Sequence, residues 1–377
     1  MIVGVLGGGQ LGRMLALAGY PLGLRFRFLD PSAEAGAGHL AELQLGAYDD
    51  PEALVRFADG LDVATYEFEN VADEAARILE SRLPVFPPSL ALATAQDRLA
   101  EKRLFERLGI PLPRYAQIDS RDDLEAAVRW IGLPAILKTR RLGYDGKGQL
   151  VLGSEADVPG AFEGLGGVPC VLEERIALRR ELSVLAVRGR DGATACYPLI
   201  QNTHREGILR VSLAPAGDVG ELQALADGYA RRILDALGYV GVLALELFVD
   251  DRDGSLLANE IAPRVHNSGH WTIEGAETSQ FENHLRAILG LPLGSTAALG
   301  HCAMVNLIGT VNDVASMLEV PGAHLHLYGK TPRPGRKLGH VTLRAATGEA
   351  RDTLLAQRGQ TILGGPFPFL GGSTRVR

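Results

Sequence analysis

The sequence has little cysteine and no long hydrophobic run. Three of its 377 residues are cysteines, Cys170, Cys196 and Cys302, and no two of them form a CxxC pair. This pattern favours buried free thiols in a reducing compartment over disulfides or a zinc site. No stretch of about 18 apolar residues occurs, so the sequence predicts no transmembrane helix and no membrane partner. We therefore expect a cytoplasmic protein.

The sequence also lacks a strong excess of charge. Its formal net charge is −7, from 38 Lys and Arg against 45 Asp and Glu, which argues against nucleic acid as a partner. The opening MIVGVLGGGQLGR has no basic segment ahead of its apolar run, so it predicts a first strand and not a signal peptide. With 46% hydrophobic and 22% charged residues, the composition is that of a globular protein.

The N-terminal part of the sequence alternates between strand and helix patterns. Short apolar runs at residues 2–6, 24–29 and 62–68 predict buried strands, and residues 10–19 carry apolar side chains at helical spacing. Such alternation is typical of an α/β fold with a parallel sheet covered by helices. The length of the chain predicts two or three domains.

Proline and glycine clusters mark the predicted domain boundaries. The segment LPVFPPS at residues 83–89 contains three prolines, which interrupt any regular element, and a charged amphipathic helix is predicted after it at residues 97–108. A Gly/Pro patch near residue 294 precedes a tail of short strands (AMVNLIG, HLHLYG and HVTLRA). The predicted domains span residues 1–96, 97–294 and 295–377.

A glycine motif follows the first predicted strand. GGGQLG at residues 7–12 fits G-x-G-x-x-G, and Asp30 closes the second strand roughly 20 residues later, as in the dinucleotide-binding fingerprint. A tight strand-to-helix turn in any such sheet also favours glycine. The motif therefore leaves two interpretations open, a nicotinamide or flavin oxidoreductase and an ordinary turn.

A second glycine-rich segment, GYDGKGQ, occupies residues 143–149. Glycines let backbone N–H groups turn toward an anion, so phosphate is the expected ligand. The segment is not a Walker A loop, because Gln149 and a predicted strand follow its last glycine in place of Lys-Ser/Thr and a helix.

Two glutamates occupy a predicted β-hairpin at residues 240–263. Glu246 interrupts an apolar strand, and Glu260 lies near the end of the return strand, after an Asp/Gly turn. If the pairing register puts both side chains on one face, their repulsion needs a cation, and Mg²⁺ is suited because it takes one or two carboxylates plus phosphate and water. The alternative is that one or both glutamates simply face solvent.

A polar loop, PRVHNSGH, follows this hairpin directly. Arg264 could clamp a planar anion through two N–H groups, and His266 could donate a hydrogen bond to that anion or move a proton. Asn267, Ser268 and His270 add further hydrogen-bonding groups. The alternative is a loop whose side chains only satisfy its own backbone.

These segments together resemble the ATP-grasp enzymes, and within them the family of 5-(carboxyamino)imidazole ribonucleotide synthases. The resemblance covers nearly the whole chain, through GGGQLGRM, YEFENV, GYDGKGQ, APRVHNSGHW, NLIG and RPGRKLGH. It implies an N-terminal Rossmann-like parallel-sheet domain, a central ATP-grasp domain with a mobile lid, and a small β-rich C-terminal domain. One departure is Leu142, where family members often have a second glycine before the lid tyrosine.

The resemblance also implies a role for individual residues. Contacts to ATP are expected from Arg98, Lys138, the lid (Gly143, Tyr144, Asp145, Gly146, Lys147, Gly148 and Gln149), the adenine segment Glu173, Glu174, Arg175 and Ile176, the ribose-binding Glu181, and His204, Asn259 and Glu260. Mg²⁺, or Mn²⁺ in its place, would be bound by Glu246 and Glu260. The substrate would contact Gln10, Glu67, Arg264, His266, Arg336 and Lys337, with Arg333 in the same basic cluster. Catalytic roles are expected for Arg264, His266, Tyr144 and Lys147.

The implied enzyme is an ATP-dependent carbon–nitrogen ligase of purine biosynthesis. It would phosphorylate bicarbonate to carboxyphosphate and carboxylate the amine of 5-aminoimidazole ribonucleotide, as a homodimer. Three alternatives stay open: a formate-using ATP-grasp transformylase, the oxidoreductase suggested by the first glycine motif, and a nucleotide-binding module without turnover.

Overall fold

The structure is a computed structural model that describes residues 1–69, 71, 73–143 and 147–363. The strands of the described chain form two four-stranded sheets and one nine-stranded sheet. None of the helices in these ranges is long and apolar enough to cross a membrane.

The N-terminal sheet is parallel, with strand order β3-β2-β1-β4. β1 is an almost fully buried apolar run, as expected for a parallel strand in a helix-covered sheet. The predicted alternation of strands and helices is confirmed. The elements are β1 (Ile2–Leu6), α1 (Gln10–Gly19), β2 (Arg25–Asp30), β3 (Glu42–Leu45), α2 (Pro51–Ala58), β4 (Val63–Tyr66), α3 (Asp73–Glu80) and α4 (Ser89–Ala95).

The second sheet is antiparallel, with strand order β5-β8-β6-β7. Asp97 begins the first helix of this region, because its side chain accepts a hydrogen bond from the Leu99 amide at 3.0 Å, a typical N-cap. The elements are α5 (Arg98–Arg107), β5 (Tyr115–Ile118), α6 (Arg121–Ile131), β6 (Ala135–Thr139), β7 (Gln149–Leu152), α7 (Ala161–Gly164) and β8 (Cys170–Glu174).

The β6–β7 hairpin carries the predicted lid. Lys138 and Gln149 are register partners at the end of this hairpin, so the glycine-rich segment joins the two strands. Leu142 has φ +64°, in the left-handed region that glycine adopts without strain. The leucine thus takes the backbone conformation that a second glycine would supply. Tyr144, Asp145 and Gly146 lie outside the described residues.

The nine-stranded sheet has the order β14-β13-β9-β11-β12-β15-β17-β16, with β10 paired to β9. Its strands are β9 (Leu178–Arg188), β10 (Thr194–Cys196), β11 (Ile200–Arg205), β12 (Ile208–Ala214), β13 (Gly241–Asp250), β14 (Leu256–Ala262), β15 (His301–Ile308), β16 (Ala323–Leu327) and β17 (Lys337–Ala345). The helices that accompany it are α8 (Leu222–Ala236), α9 (Thr272–Gly275), α10 (Gln280–Leu289), α11 (Val314–Leu318) and α12 (Gly348–Leu363).

The C-terminal strands continue this sheet. The three predicted tail strands are present, but β15 pairs with β12, so within the described residues the tail shares a sheet with the central region. Periodicity predicts that a segment is a strand and carries no information about its partner, so the sequence did not reveal this pairing.

The N-terminal sheet packs directly against the large sheet. Val3 and Phe26 share one apolar cluster with Val187, Val242 and Phe281. Burial of this shared cluster fixes the two regions against each other. The main cleft of the molecule lies along this seam.

Candidate active site

One cleft of roughly 1380 Å³ runs between the N-terminal sheet, the lid-bearing sheet and the large sheet. A pocket for one small ligand typically measures about 300–1,000 Å³, so this cleft has room for two substrates side by side. Its walls come from all three regions of the chain. The residues that line it therefore define the candidate site.

Glu246 and Glu260 are direct register partners on β13 and β14. Their side chains therefore share one face of the sheet, which is the condition under which the sequence predicts that the pair needs a cation. Burial, followed by the charge of Glu260, raises the pKa of Glu246 to about 7. The Nε2 atom of His266 lies 3.3 Å from Glu246 Oε1, and Arg98 Nη1 lies 3.1 Å from Glu260 Oε2. The pair is thus a negative centre with Glu246 largely buried and Glu260 partly exposed, and each carboxylate has one basic neighbour.

Two lysines and a glutamate occupy the neighbouring wall. Lys138 Nζ and Lys102 Nζ each lie 3.1 Å from Glu173 Oε2, and all three side chains are buried. Burial acts to raise the pKa of Glu173, but the lysines and Arg98 outweigh it and lower the pKa to about 2. Glu173 is therefore a buried, ionised counter-ion for the two lysines.

Glu174 and Glu181 lie on either side of the connection between β8 and β9, and both contact basic side chains. Glu174 forms ion pairs with Arg114 and Arg252, both at 2.9 Å. Glu181 is in hydrogen-bond contact with His204 Nδ1. Burial acts to lower the pKa of His204, but the hydrogen bond to Glu181 and the charges of the surrounding carboxylates together outweigh it and raise the pKa.

The polar loop after β14 is fixed from several sides. Arg264 is ion-paired with Glu69, a residue of the N-terminal region. Gln280 holds the His266 backbone from both directions, accepting from its N–H at 2.9 Å and donating to its carbonyl oxygen at 2.7 Å. Asn267 and Asn306 exchange two amide hydrogen bonds at 3.1 and 2.7 Å. The loop is therefore rigid where it lines the cleft.

Carboxylates of the chain itself fill the first glycine turn. Glu67 accepts hydrogen bonds from the amides of Gly9 and Gly12, the latter at 2.7 Å. Asp30 accepts from the Gly8 amide at 2.8 Å. These are the N–H groups that would bind a dinucleotide pyrophosphate. These amides already donate to carboxylates of the chain and are not available to a pyrophosphate. This argues against the oxidoreductase interpretation and favours the ordinary strand-to-helix turn.

Most of the predicted site residues line the one cleft. Those that line it are Gln10, Glu67, Arg98, Lys138, Gly143, Gln149, Glu173, Glu174, Arg175, Ile176, Glu181, His204, Glu246, Asn259, Glu260, Arg264, His266 and Lys337. Lys147, Gly148 and Arg336 do not line it in this conformation, and Arg336 donates to the Thr331 carbonyl at 3.1 Å. Their expected roles stay predictions, as do those of Tyr144, Asp145 and Gly146.

Sequence reasoning missed four charged residues at the site. Glu69 belongs to the quoted YEFENV segment, yet nothing local links it to Arg264. Lys102 and Glu101 lie on α5, buried within an otherwise charged helix. Lys330 contacts the side-chain oxygen of Gln10. Glu101 and Lys102 are buried and Glu69 and Lys330 partly buried, and their contacts depend on the tertiary fold, so no local pattern identifies them.

Comparison with known proteins agrees with this architecture. Three family models match the chain: a ribonucleotide synthetase preATP-grasp domain at residues 1–96, an ATP-grasp domain at 103–281, and a phosphoribosylaminoimidazole carboxylase C-terminal domain at 302–353. An N5-carboxyaminoimidazole ribonucleotide synthase of Pseudomonas aeruginosa is 57% identical over 92% of this chain and 95% of its own length.

Solved structures show the same fold. The crystal structure of N5-carboxyaminoimidazole ribonucleotide synthetase from Thermus thermophilus has a TM-score of 0.93 and 57% identity, covering 97% of this chain and 99% of its own. The enzyme of Aspergillus clavatus, solved with ADP and 5-aminoimidazole ribonucleotide, has a TM-score of 0.88 and 32% identity, covering 94% and 96%. The chain belongs to the N5-carboxyaminoimidazole ribonucleotide synthase family of ATP-grasp ligases.

Proposed function

We propose how the residues of this cleft carry out the family's reaction, the ATP-dependent carboxylation of 5-aminoimidazole ribonucleotide. The observation that carries the proposal is the position of the Glu246/Glu260 pair in the cleft. The same cleft is lined by the buried Lys138 and by Arg264 of the polar loop after β14. Residues suited to binding phosphate, a metal ion and a carboxylate therefore line one cavity.

Glu246 and Glu260 fit a Mg²⁺ ion, with Mn²⁺ as an alternative. Two adjacent carboxylates, one of them buried, are stable together only when a proton or a cation offsets their repulsion. Among the residues that the structure describes, no group of three or more His, Cys, Asp or Glu side chains forms a metal centre. That suits Mg²⁺, which takes its remaining ligands from water and phosphate. When bound, the ion would neutralise charge on the transferring phosphoryl group.

ATP would lie along the wall formed by Lys138 and residues 173–176. Glu173 holds Lys138 in place through their 3.1 Å ion pair and opposes the burial that lowers the pKa of Lys138. Glu181 and His204, in contact with each other, would hold the ribose side. The lid at residues 143–149 would cover the phosphates from the β6–β7 hairpin and exclude water from the acid anhydride.

Bicarbonate would bind at Arg264 and His266. A bicarbonate oxygen attacks the γ-phosphorus of ATP, the bond to ADP breaks, and carboxyphosphate forms. The exocyclic amine of the ribonucleotide then takes up the carboxyl group, phosphate leaves, and the amine loses one proton. Because no covalent enzyme intermediate is needed, positioning and charge neutralisation supply the rate.

The ribonucleotide would bind across Gln10, Glu67 and the tail cation Lys337, which line the same cleft. Lys330, in contact with Gln10, adds a second cation at this end. Arg336 would join them when substrate is present. Lys337→Ala should raise the KM for the ribonucleotide more than the KM for ATP, and equal changes would contradict a substrate-phosphate site.

The decisive assay is release of ADP from MgATP by the full-length chain. It is run with 5-aminoimidazole ribonucleotide, with and without bicarbonate, and with formate as the control donor. Release that needs both the ribonucleotide and bicarbonate is the expected result. Release with formate in place of bicarbonate would indicate a transformylase. ATP binding without release under any condition would indicate a module without turnover.

The assembly, the domain limits and the location of the protein also remain proposals. We propose a cytoplasmic homodimer with domains at residues 1–96, 97–294 and 295–377. Leu17, Tyr20 and Leu22 are exposed apolar side chains grouped at the end of α1, which supports a protein contact there. Sedimentation equilibrium of the full chain would test the dimer, and a monomer at micromolar concentration would contradict it.

A further inference from the structure

A row of buried polar side chains crosses the nine-stranded sheet behind His266. The His266 Nδ1 atom lies 2.9 Å from Ser268 Oγ, and Ser183 Oγ donates to Ser268 Oγ at 2.9 Å. The Asn202 side-chain amide donates to Ser183 Oγ at 2.9 Å, and Ser212 Oγ donates to Asn202 Oδ1 at 2.8 Å. We call Ser268, Ser183, Asn202 and Ser212 the polar row.

The strand register builds the polar row. Ser183 on β9 is the register partner of Glu246, and Asn202 on β11 is the register partner of Ser212 on β12. Asn202 also pairs with Glu181, two residues from Ser183 on the same strand face. The row therefore shares the face that carries the carboxylates, and its Asn202 lines the cleft.

Burial makes the polar row unusual. Ser183, Ser212 and Ser268 are completely buried, and Asn202 is 6% exposed. Buried hydroxyl and amide groups destabilise a fold unless each is hydrogen-bonded. An apolar side chain at any of these positions would serve packing alone. The polar row is fully connected, so it specifies one arrangement of its protons.

A backbone N–H fixes the direction of that arrangement. The Ser268 amide donates to His266 Nδ1 at 3.3 Å, and an amide N–H cannot accept. The Nδ1 atom is therefore unprotonated, and the Ser268 hydroxyl must donate to it as well. Each hydroxyl has one hydrogen, so Ser183 donates to Ser268 in turn, in agreement with the two 2.9 Å distances. The hydroxyl protons of Ser268 and Ser183 thus point toward His266.

The other ring nitrogen of His266 consequently carries the proton. That atom, Nε2, faces the cleft and lies 3.3 Å from Glu246 Oε1. A neutral imidazole protonated at Nε2 presents a hydrogen-bond donor to the cleft and has no lone pair there to accept a proton. The geometry thus separates two roles that the sequence left open for His266.

We infer that the members of the polar row are positioning residues that hold His266 in its Nε2–H tautomer, as a hydrogen-bond donor to the carboxylating anion and not as a base. This inference rests on the proposed binding of bicarbonate and carboxyphosphate at His266. The proton lost by the substrate amine then passes to another acceptor, for which the departing phosphate is chemically suited. Hydrogen-bond partners behind a site commonly fix a histidine tautomer in this way.

The test combines kinetics with a direct measurement of the tautomer. Ser183→Ala leaves the Ser268 hydroxyl free to accept from Nδ1–H, so only the 3.3 Å contact from the Ser268 amide still opposes that tautomer, and we expect part of the protein to adopt it. The control is Thr342→Val on β17, which removes another completely buried hydroxyl that has no hydrogen-bond partner among the described residues. Long-range ¹H–¹⁵N correlation spectra of ¹⁵N-histidine protein distinguish protonated from bare ring nitrogens, and His266→Gln identifies the His266 signals among the nine histidines.

In the wild type we expect a bare Nδ1 and a protonated Nε2. Ser183→Ala should show a mixture of tautomers and a kcat lower by about fivefold to tenfold, the effect of one hydrogen bond, with little change in the KM for ATP. Thr342→Val should keep the wild-type tautomer and kcat. If Ser183→Ala fails to fold, Ser268→Ala tests the polar row in its place. The wild-type spectrum by itself shows which ring nitrogen of His266 is protonated.

A protonated Nδ1 in the wild type would overturn the inference. So would a lower kcat in Ser183→Ala without a change of tautomer, because that result indicates a purely structural serine. Failure of the underlying proposal is recognised separately, because His266→Ala would then release ADP at the normal rate whatever the spectra show. His266→Gln, which keeps a donor near the Nε2 position, should be more active than His266→Ala.

Discussion

Glu246 and Glu260 face each other as register partners on adjacent antiparallel strands, one of them largely buried. Like charges placed directly opposite destabilise a sheet, and burial adds to that effect. Because this pair lines the cleft, a bound cation would relieve the repulsion between the two carboxylates. We therefore expect turnover to depend on both carboxylates.

Glu260→Gln should lower turnover by about a hundredfold or more, because the metal is expected to stabilise the transferring phosphoryl group by several kcal/mol. The fold should persist, since the change relieves repulsion with Glu246. The measurement is ADP release at saturating Mg²⁺, with thermal unfolding alongside. Glu163→Gln, in an exposed ion pair with Arg121, is the matched control. Near-normal turnover in Glu260→Gln would contradict its role as a ligand.

Lys330 should act as a pH-dependent contact for the ribonucleotide. Burial lowers the pKa of Lys330 to about 8, against the opposing charge of Glu67. The lysine is therefore charged below pH 8 and neutral above it. We expect the KM for the ribonucleotide to rise as the pH increases through 8, while the KM for ATP changes little.

Lys330→Gln tests this contact. We expect a KM for the ribonucleotide about tenfold higher at pH 7, from the loss of one charge-assisted contact, and no step near pH 8. Lys330→Arg keeps the charge throughout and should remove the step while keeping a low KM. A step near pH 8 that survives in Lys330→Gln would assign the titration to another group.

Glu101 should make the stability of the chain fall as the pH rises. Its side chain is buried and accepts a hydrogen bond from the Ile261 amide at 2.6 Å. Burial, followed by the charge of Glu260, raises the pKa of Glu101 from its ordinary 4.5 to about 8. A raised carboxyl pKa contributes stability that is complete below about pH 4.5 and is lost as the pH increases through about 8.

Glu101→Gln provides the measurement for that effect. Glutamine keeps the acceptor for the Ile261 amide and stays neutral at every pH, so this variant should lack the decline. Urea midpoints of both proteins, taken without nucleotide or metal between pH 5 and 8, should diverge with the wild type falling. Parallel curves would show that Glu101 is ionised in the folded state over this range.

Glu69→Gln should leave the polar loop after β14 less firmly held while keeping the positive charge of Arg264. Glu69 is the ion-pair partner of the buried Arg264, and the pair joins the N-terminal region to the end of β14. Loss of one charged hydrogen bond leaves Arg264 in place but less constrained, so we expect the KM for bicarbonate to rise about tenfold. Glu282→Gln, which breaks a helix-surface pair with Arg286, is the control. Equal KM values for bicarbonate in the two variants would contradict the positioning role.

Sequence patterns determined the local elements and the chemistry of the site. The helix at α1, the alternation of the N-terminal strands and the hairpin that carries Glu246 and Glu260 all follow from spacing between residues close in the chain. The residue types of the glycine-rich lid pointed to phosphate and those of the polar loop after β14 to a planar anion, while bicarbonate was implied by the resemblance to the family that the comparisons confirm.

Only the tertiary structure decided which distant groups meet. The pairing of β15 with β12 brings the tail into the main sheet, and Arg264 reaches Glu69 across 195 positions of the chain. Lys330 meets Gln10 across 320 positions, and the polar row unites residues from three strands and a loop. Local propensity depends on neighbours in the sequence, whereas strand order, burial and ion pairing depend on neighbours in space. For that reason the sequence could point to candidate groups, whereas their partners and their burial were decided by the fold.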